Sequence, residues 1–158
     1  MTDHRAIGIA LNNSVWDELS AGTITETSPI DERERLLYAA YTSTYHWLQV
    51  GTVANHLRGE HLISRVAARI GEAEIALRHA RRCLELAESH PNEVEDWDLA
   101  FALEALARAE AATGDTLSAS STFARAIAAT AAVVDDEDRS VLEGELRREP
   151  WFGISDGV

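Results

Sequence analysis

The stretches "GEAEIALRHARRC" (Gly71–Cys83) and "GDTLSASSTFARA" (Gly114–Ala126) carry the same pattern, 43 positions apart. Each opens on a glycine, which lacks a Cβ and can take the left-handed backbone that ends one helix before the next begins. Five residues on stand Ala76 and Ala119, nine on Ala80 and Phe123, and twelve on Cys83 and Ala126. Upstream, Ile63–Ser64 matches Leu106–Ala107, a large residue followed by a small one. Small side chains at these positions let the two helices flanking each turn touch, while the large ones fill the space to the next pair.

The rest of the chain follows the same 3.6-residue period. A first helix is expected over Asp3–Leu19, with Ile7, Ala10, Leu11, Val15 and Leu19 on one face, stopped by "SAGTITETSP". A second runs from Pro29 to Val50, with Asp31, Glu32 and Glu34 in the first turn, where the helix dipole favours acids. The third and fourth are expected at Thr52–Ile70 and Glu72–Ser89, followed by the break "HPNEVEDWD". The fifth and sixth occupy Glu95–Thr113 and Thr116–Val134. Asp135–Asp138 forms a loop and the first turn of a seventh helix that ends before Pro150. No segment alternates as a strand would, so the expected class is all-α.

The turn glycines, the large–small pair and the small residues at the crossings resemble the tetratricopeptide repeat, in a diverged form longer than the usual ~34 residues. The resemblance covers roughly Leu57–Thr130. It implies a right-handed α-α superhelix of about three antiparallel helix hairpins with a C-terminal capping helix. On that reading residues 1–51 form a diverged first hairpin, 52–90 a second, 91–134 a third, 135–149 the cap and 150–158 a tail, all in one domain. Trp151 and Phe152 are expected to fold back on the cap. Repeats of this kind are scaffolds for many tasks and name none.

Composition narrows the functional classes. The 158 residues carry 27 acids against 14 bases, a net charge of −13, and every base is arginine, which reads as the trace of a GC-rich genome. Such acidity argues against nucleic acid or an anionic membrane as partner, because both require a broad basic surface. No apolar run approaches the ~20 residues that span a bilayer, and no signal region opens the chain, so a cytoplasmic protein is expected. Cys83, the single cysteine, sits among Ala80, Leu84 and Leu86 and reads as a packed thiol.

The arginines are unevenly placed: six of the fourteen lie between Arg58 and Cys83. At 100° per residue Arg58, His61, Arg65 and Arg69 form one stripe, apart from the apolar face of Leu62, Ile63, Val66 and Ile70. In tetratricopeptide folds the first helix of each hairpin lines a concave groove, and aligning the hairpins sets Arg108 opposite Arg65, with Phe101 and Glu104 alongside. The resemblance therefore implies a protein-interaction module gripping an acidic peptide or a chain terminus through guanidinium forks. The bland alternative is a solvated face whose ion pairs each contribute ~0.2–1 kcal/mol. Arg78, Arg81 and Arg82 are expected on the outer surface.

A second candidate site, an enzyme or small-ligand pocket at the first hairpin junction, would use Tyr41, Tyr45, His46, Asn55 and Arg58. Tyr38, Tyr41, Tyr45, Leu37 and Leu48 share a stripe that reads as a core seam. A homodimerising scaffold is a third possibility. His56 and Glu60 share a helix face, but His61 points away and no metal-binding spacing occurs, so neither metal nor cofactor is expected. No nucleophile elbow or phosphate-binding glycine loop is present.

Overall fold

The computed structural model describes residues 1–154. Among them it has seven helices and no strand: α1 His4–Ala21, α2 Ile30–Val50, α3 Val53–Arg69, α4 Ala73–Ser89, α5 Asp96–Ala112, α6 Thr116–Ala131 and α7 Asp136–Arg147. The class is all-α, and the helices pack in neighbouring pairs: α1 on α2, α3 on α4 and α5 on α6. α2 also packs on α3 and α4 on α5, while α3 lies directly against α5. No described helix is long and apolar enough to cross a membrane.

The two glycine turns end their helices in the same way. Gly71 and Gly114 both have φ +85°. Beyond them the N–H of Glu72 donates to Ala67 O (2.8 Å) and that of Asp115 to Glu110 O (3.0 Å), the six-residue closure that satisfies carbonyls left over at a helix end. The starts of α1 and α3 are capped by side chains. The Asp3 carboxylate accepts from Ala6 N–H at 2.9 Å and the Asn55 side chain from Thr52 N–H at 3.0 Å.

Behind each turn the helices approach closely. Ala76, Ala80, Cys83, Ala119 and Ala126 are wholly inaccessible, and the Ser64 hydroxyl donates to Ala76 O at 2.9 Å across the α3–α4 crossing. Replacing Ala76 or Ala119 with leucine is therefore expected to cost ~1–3 kcal/mol through overpacking. Thermal melting of each variant reads this directly, and an unchanged midpoint would remove these alanines from the crossings. Burial, with the charges of Asp98, Glu60 and Glu104 adding to it, pushes the Cys83 thiol well above its ordinary pKa, as a packed thiol requires.

The tyrosine stripe of α2 departs from expectation. Tyr38, Tyr45 and Leu48 are 59%, 57% and 54% exposed. The face that α2 buries is Leu36, Leu37, Ala40, Ser43 and Thr44. Close backbone approach explains the preference for small residues there. The Ser43 hydroxyl donates to Gly8 O on α1 (2.8 Å), and a Cβ on Gly59 of α3 would stand 2.6 Å from the Thr44 side chain. Bulky tyrosines on that face would hold the three helices apart.

Candidate functional site

α3 and α5 present their stripes to one another, and α1 lies beside α3. On α5, Trp97, Phe101, Glu104 and Arg108 recur at steps of three and four, so they share one face. The upper part of this shared face is a cleft of about 230 Å³ between α1, α3 and α5. Its walls are Trp16, His61, Trp97 and Phe101, with the buried Leu57 beneath them.

The aromatic walls brace each other. The Trp16 and His61 rings stack at 5.6 Å with 26° between their planes, while Phe101 meets His61 edge-on at 5.2 Å and Trp97 at 5.9 Å. The Arg58 guanidinium lies 4.3 Å over the Trp97 ring, and its Nε and Nη2 donate to the two oxygens of Asp98, each at 3.0 Å. Asp98 is wholly buried and also accepts the Glu95 N–H at 2.9 Å. One carboxylate therefore both caps α5 and orients the arginine that clamps Trp97.

Further along the two helices the arginine stripe is neutralised from within. Glu104, inaccessible to solvent, accepts from His61 Nε2 (3.1 Å), Arg65 Nη1 (2.5 Å) and Arg108 Nε (2.8 Å), with Arg108 Nη2 at 2.7 Å. Arg65 and Arg108 are themselves 5% and 1% exposed. Arg108 Nη1 donates to Arg148 O (2.8 Å) and Pro150 O (2.6 Å), and its Nη2 to Glu145 O (3.1 Å). Four of its N–H donors are thus hydrogen-bonded, and Nη2 also lies in ion-pair contact with Glu104. Arg65 Nη2 lies 3.0 Å from Glu145 Oε2, an ion pair by proximity without hydrogen-bond geometry. Trp151 covers the cluster: wholly buried, it stands 4.0 Å from the Arg108 guanidinium and 4.6 Å edge-on from Phe123.

Electrostatics follow from this arrangement. Burial alone would raise the Glu104 carboxyl, but Arg65, Arg108 and the His61 hydrogen bond outweigh it and hold it well below the usual carboxylate range. Burial and the neighbouring Arg65 pull Arg108 down to about 10 against the opposing pull of Glu104 and Glu145, which leaves it charged at neutral pH. A second cluster lies between α2, α3 and α4. The Glu60 carboxylate accepts from His79 Nδ1 (2.5 Å) and His56 Nε2 (3.0 Å), and the Tyr41 hydroxyl bonds His79 Nε2 (2.9 Å). Burial raises the Glu60 carboxyl and the two histidines more than offset it, so it too is held low.

The residues singled out in the sequence divide among these places. Arg58, His61 and Phe101 line the cleft, whereas Arg65, Glu104 and Arg108 form the buried cluster below it. Arg108 does stand opposite Arg65, but the carboxylate both hold is the chain's own. Arg69 lies apart, beside a separate cavity with Thr25, Glu26, Pro150 and Phe152. The alternative set is not brought together. Tyr41 is engaged by His79, Tyr45 projects outward edge-on to His46, His46 Nδ1 meets His4 Nδ1 at 2.9 Å, and Asn55 serves the α3 cap. Among the described residues no group of three His, Cys, Asp or Glu side chains is placed to hold a metal ion. Arg78, Arg81 and Arg82 are exposed.

Trp16, Trp97, Asp98, Glu145 and Trp151 were not assigned to a site by the sequence. For Trp97 the signal was available, since it falls inside the expected fifth helix, four residues before Phe101 on the same face. No protein-family model, curated protein or solved structure matches the chain.

Proposed function

We propose that the protein is an interaction module of tetratricopeptide-like architecture, a superhelix of three hairpins capped by α7, which takes a peptide on its concave face. An apolar or aromatic side chain of that peptide sits between Trp16, His61, Trp97 and Phe101. The observation that carries this reading is the 230 Å³ cleft, whose rings are held by one another and by the Arg58–Asp98 pair. Walls fixed in advance lose little side-chain freedom when a ligand enters, and buried aromatic anchors dominate peptide affinity.

Selection of displayed random peptides on the immobilised protein tests the proposal. Enriched sequences are expected to share an apolar or aromatic residue and to change the tryptophan fluorescence on binding. Trp97→Ala and Phe101→Ala should each weaken them tenfold or more, which corresponds to ~1.4 kcal/mol or above. Peptides that bind both variants as they bind the parent would remove the cleft from the reading. A second reading, homodimerisation through α2, is favoured by the exposed stripe of Tyr38, Tyr45 and Leu48. Sedimentation of the parent beside Tyr38→Ser and Tyr45→Ser variants separates the two.

A further inference from the structure

Trp97 lines two recesses. It closes the aromatic cleft with Trp16, His61 and Phe101, and it also borders a wider groove of about 660 Å³ between the start of α5 and the α6–α7 junction. Six of the eight residues lining that groove are acids: Glu95 and Asp96 at α5, and Asp135, Asp136, Glu137 and Asp138 at α7. The other two are Trp97 and Val134, the latter 86% exposed. Apolar cleft and acidic groove therefore meet at one indole ring.

Little within the chain offsets the charge of the groove. Arg139 pairs with Asp136, and among the described residues this is the one ion pair that reaches the groove wall. The remaining contacts are to neutral backbone donors: Asp96 accepts from Val134 N–H at 2.9 Å, and Asp135 from Glu137 and Asp138 N–H at 2.9 and 3.0 Å. Helix starts favour acids on their own account, but two of them supply together only about one elementary charge. Five carboxylates here have no arginine within ion-pair distance. The cleft adds no free cation. Both forks of Arg58 are taken by Asp98, and His61 faces Glu104.

We infer that the partner of the aromatic cleft is a basic peptide segment: its apolar or aromatic side chain enters the cleft, and a neighbouring lysine or arginine crosses Trp97 into the acidic groove. A long basic side chain suits this path, because its methylene stem covers the apolar surface of Trp97 and Val134 while its charged head stays among the carboxylates. An acidic segment would meet unneutralised charge of its own sign, which costs affinity and slows encounter. The net charge of −13 steers the same class of partner toward the protein. The inference rests on the peptide reading for the anchor and adds to it the charge of the partner.

The test reads the composition of peptides selected from a displayed random library and retained only if Phe101→Ala, which alters the cleft and not the groove, weakens them. Such peptides are expected to carry a lysine or arginine within a few residues of the apolar anchor. In synthetic copies, changing those basic residues to glutamine should weaken binding about fivefold or more, as the loss of one or two exposed ion pairs implies. The basic copies should also weaken more than the glutamine copies as sodium chloride rises from ~0.1 M to ~1 M and the screening length falls from ~10 Å to ~3 Å. Glu137→Gln combined with Asp138→Asn, which leaves the Asp135 cap of α7 in place, should abolish the difference between basic and glutamine copies. Asp31→Asn combined with Glu32→Gln makes the same change of charge at the exposed start of α2, and should preserve it. Retained peptides that are neutral or acidic beside the anchor overturn the inference and leave the peptide reading standing, as does an equal effect of the two double variants, which would reduce the preference to overall charge. A library that yields no peptide dependent on Phe101 overturns both.

Discussion

Replacing Glu104 with alanine should be the most damaging single change in this protein, costing ~3–5 kcal/mol. The reason is less the loss of attraction than what remains: Arg65 and Arg108, 5% and 1% exposed, would be left as neighbouring buried cations. Urea denaturation measures the loss, and a cost below ~1 kcal/mol would show that water reaches the cluster. Glu104→Gln separates charge from shape by keeping one carbonyl acceptor. It also fixes the sign of the acid response. Glu104 and Glu60 are both held below their ordinary values in the folded chain. The stability they contribute is complete above the unfolded carboxylate value of ~4.3 and is lost as pH falls through the folded values. Acidifying from pH 7 to pH 3 should therefore destabilise the parent more than Glu104→Gln, because the variant has already lost the larger of the two contributions.

Trp151→Ala should cost a similar ~3–5 kcal/mol, although the residue lies beyond the last helix. Its ring is wholly buried between Phe123 and the Arg108 guanidinium, and the carbonyls of Arg148 and Pro150 beside it take two of the Arg108 donors. Removing the ring opens a cavity and admits water to the buried ion cluster. Trp151→Phe, which keeps a flat face over Arg108, should recover more than half of the loss in the same urea titration. If Trp151→Ala melts with the parent, the tail does not seal the cluster.

The helices were legible because their signals are local. Gly71 and Gly114 mark their turns through a backbone conformation that glycine favours, and the alanines five residues later mark the crossings. Part of the site was legible for the same reason, since a fixed spacing set Arg108 opposite Arg65. What that spacing could not convey is who neutralises whom. Glu104 was placed in the stripe as a neighbour of the arginines, and its role as their shared acceptor depends on how near α3 lies to α5. Glu145 and Trp151 reach the cluster only because α7 packs against α5 and α6. The tyrosines of α2 failed in the opposite direction. Their periodicity suits a buried face, but backbone approach at Gly8 and Gly59 admits only the smaller Ser43 and Thr44.

The reach of Arg108 to three backbone carbonyls beyond its own helix sets an order on the chain's biogenesis. One donor serves Glu104, four residues away, and three serve carbonyls at positions 145, 148 and 150. A nascent chain that has emerged from the ribosome only as far as α6 can assemble the α5–α6 pair, yet it must leave Arg108 hydrated and the space above it open. Translation of the stretch Glu145–Trp151 lets the cluster close, so α5 reaches its finished packing only after a segment well downstream of it has emerged.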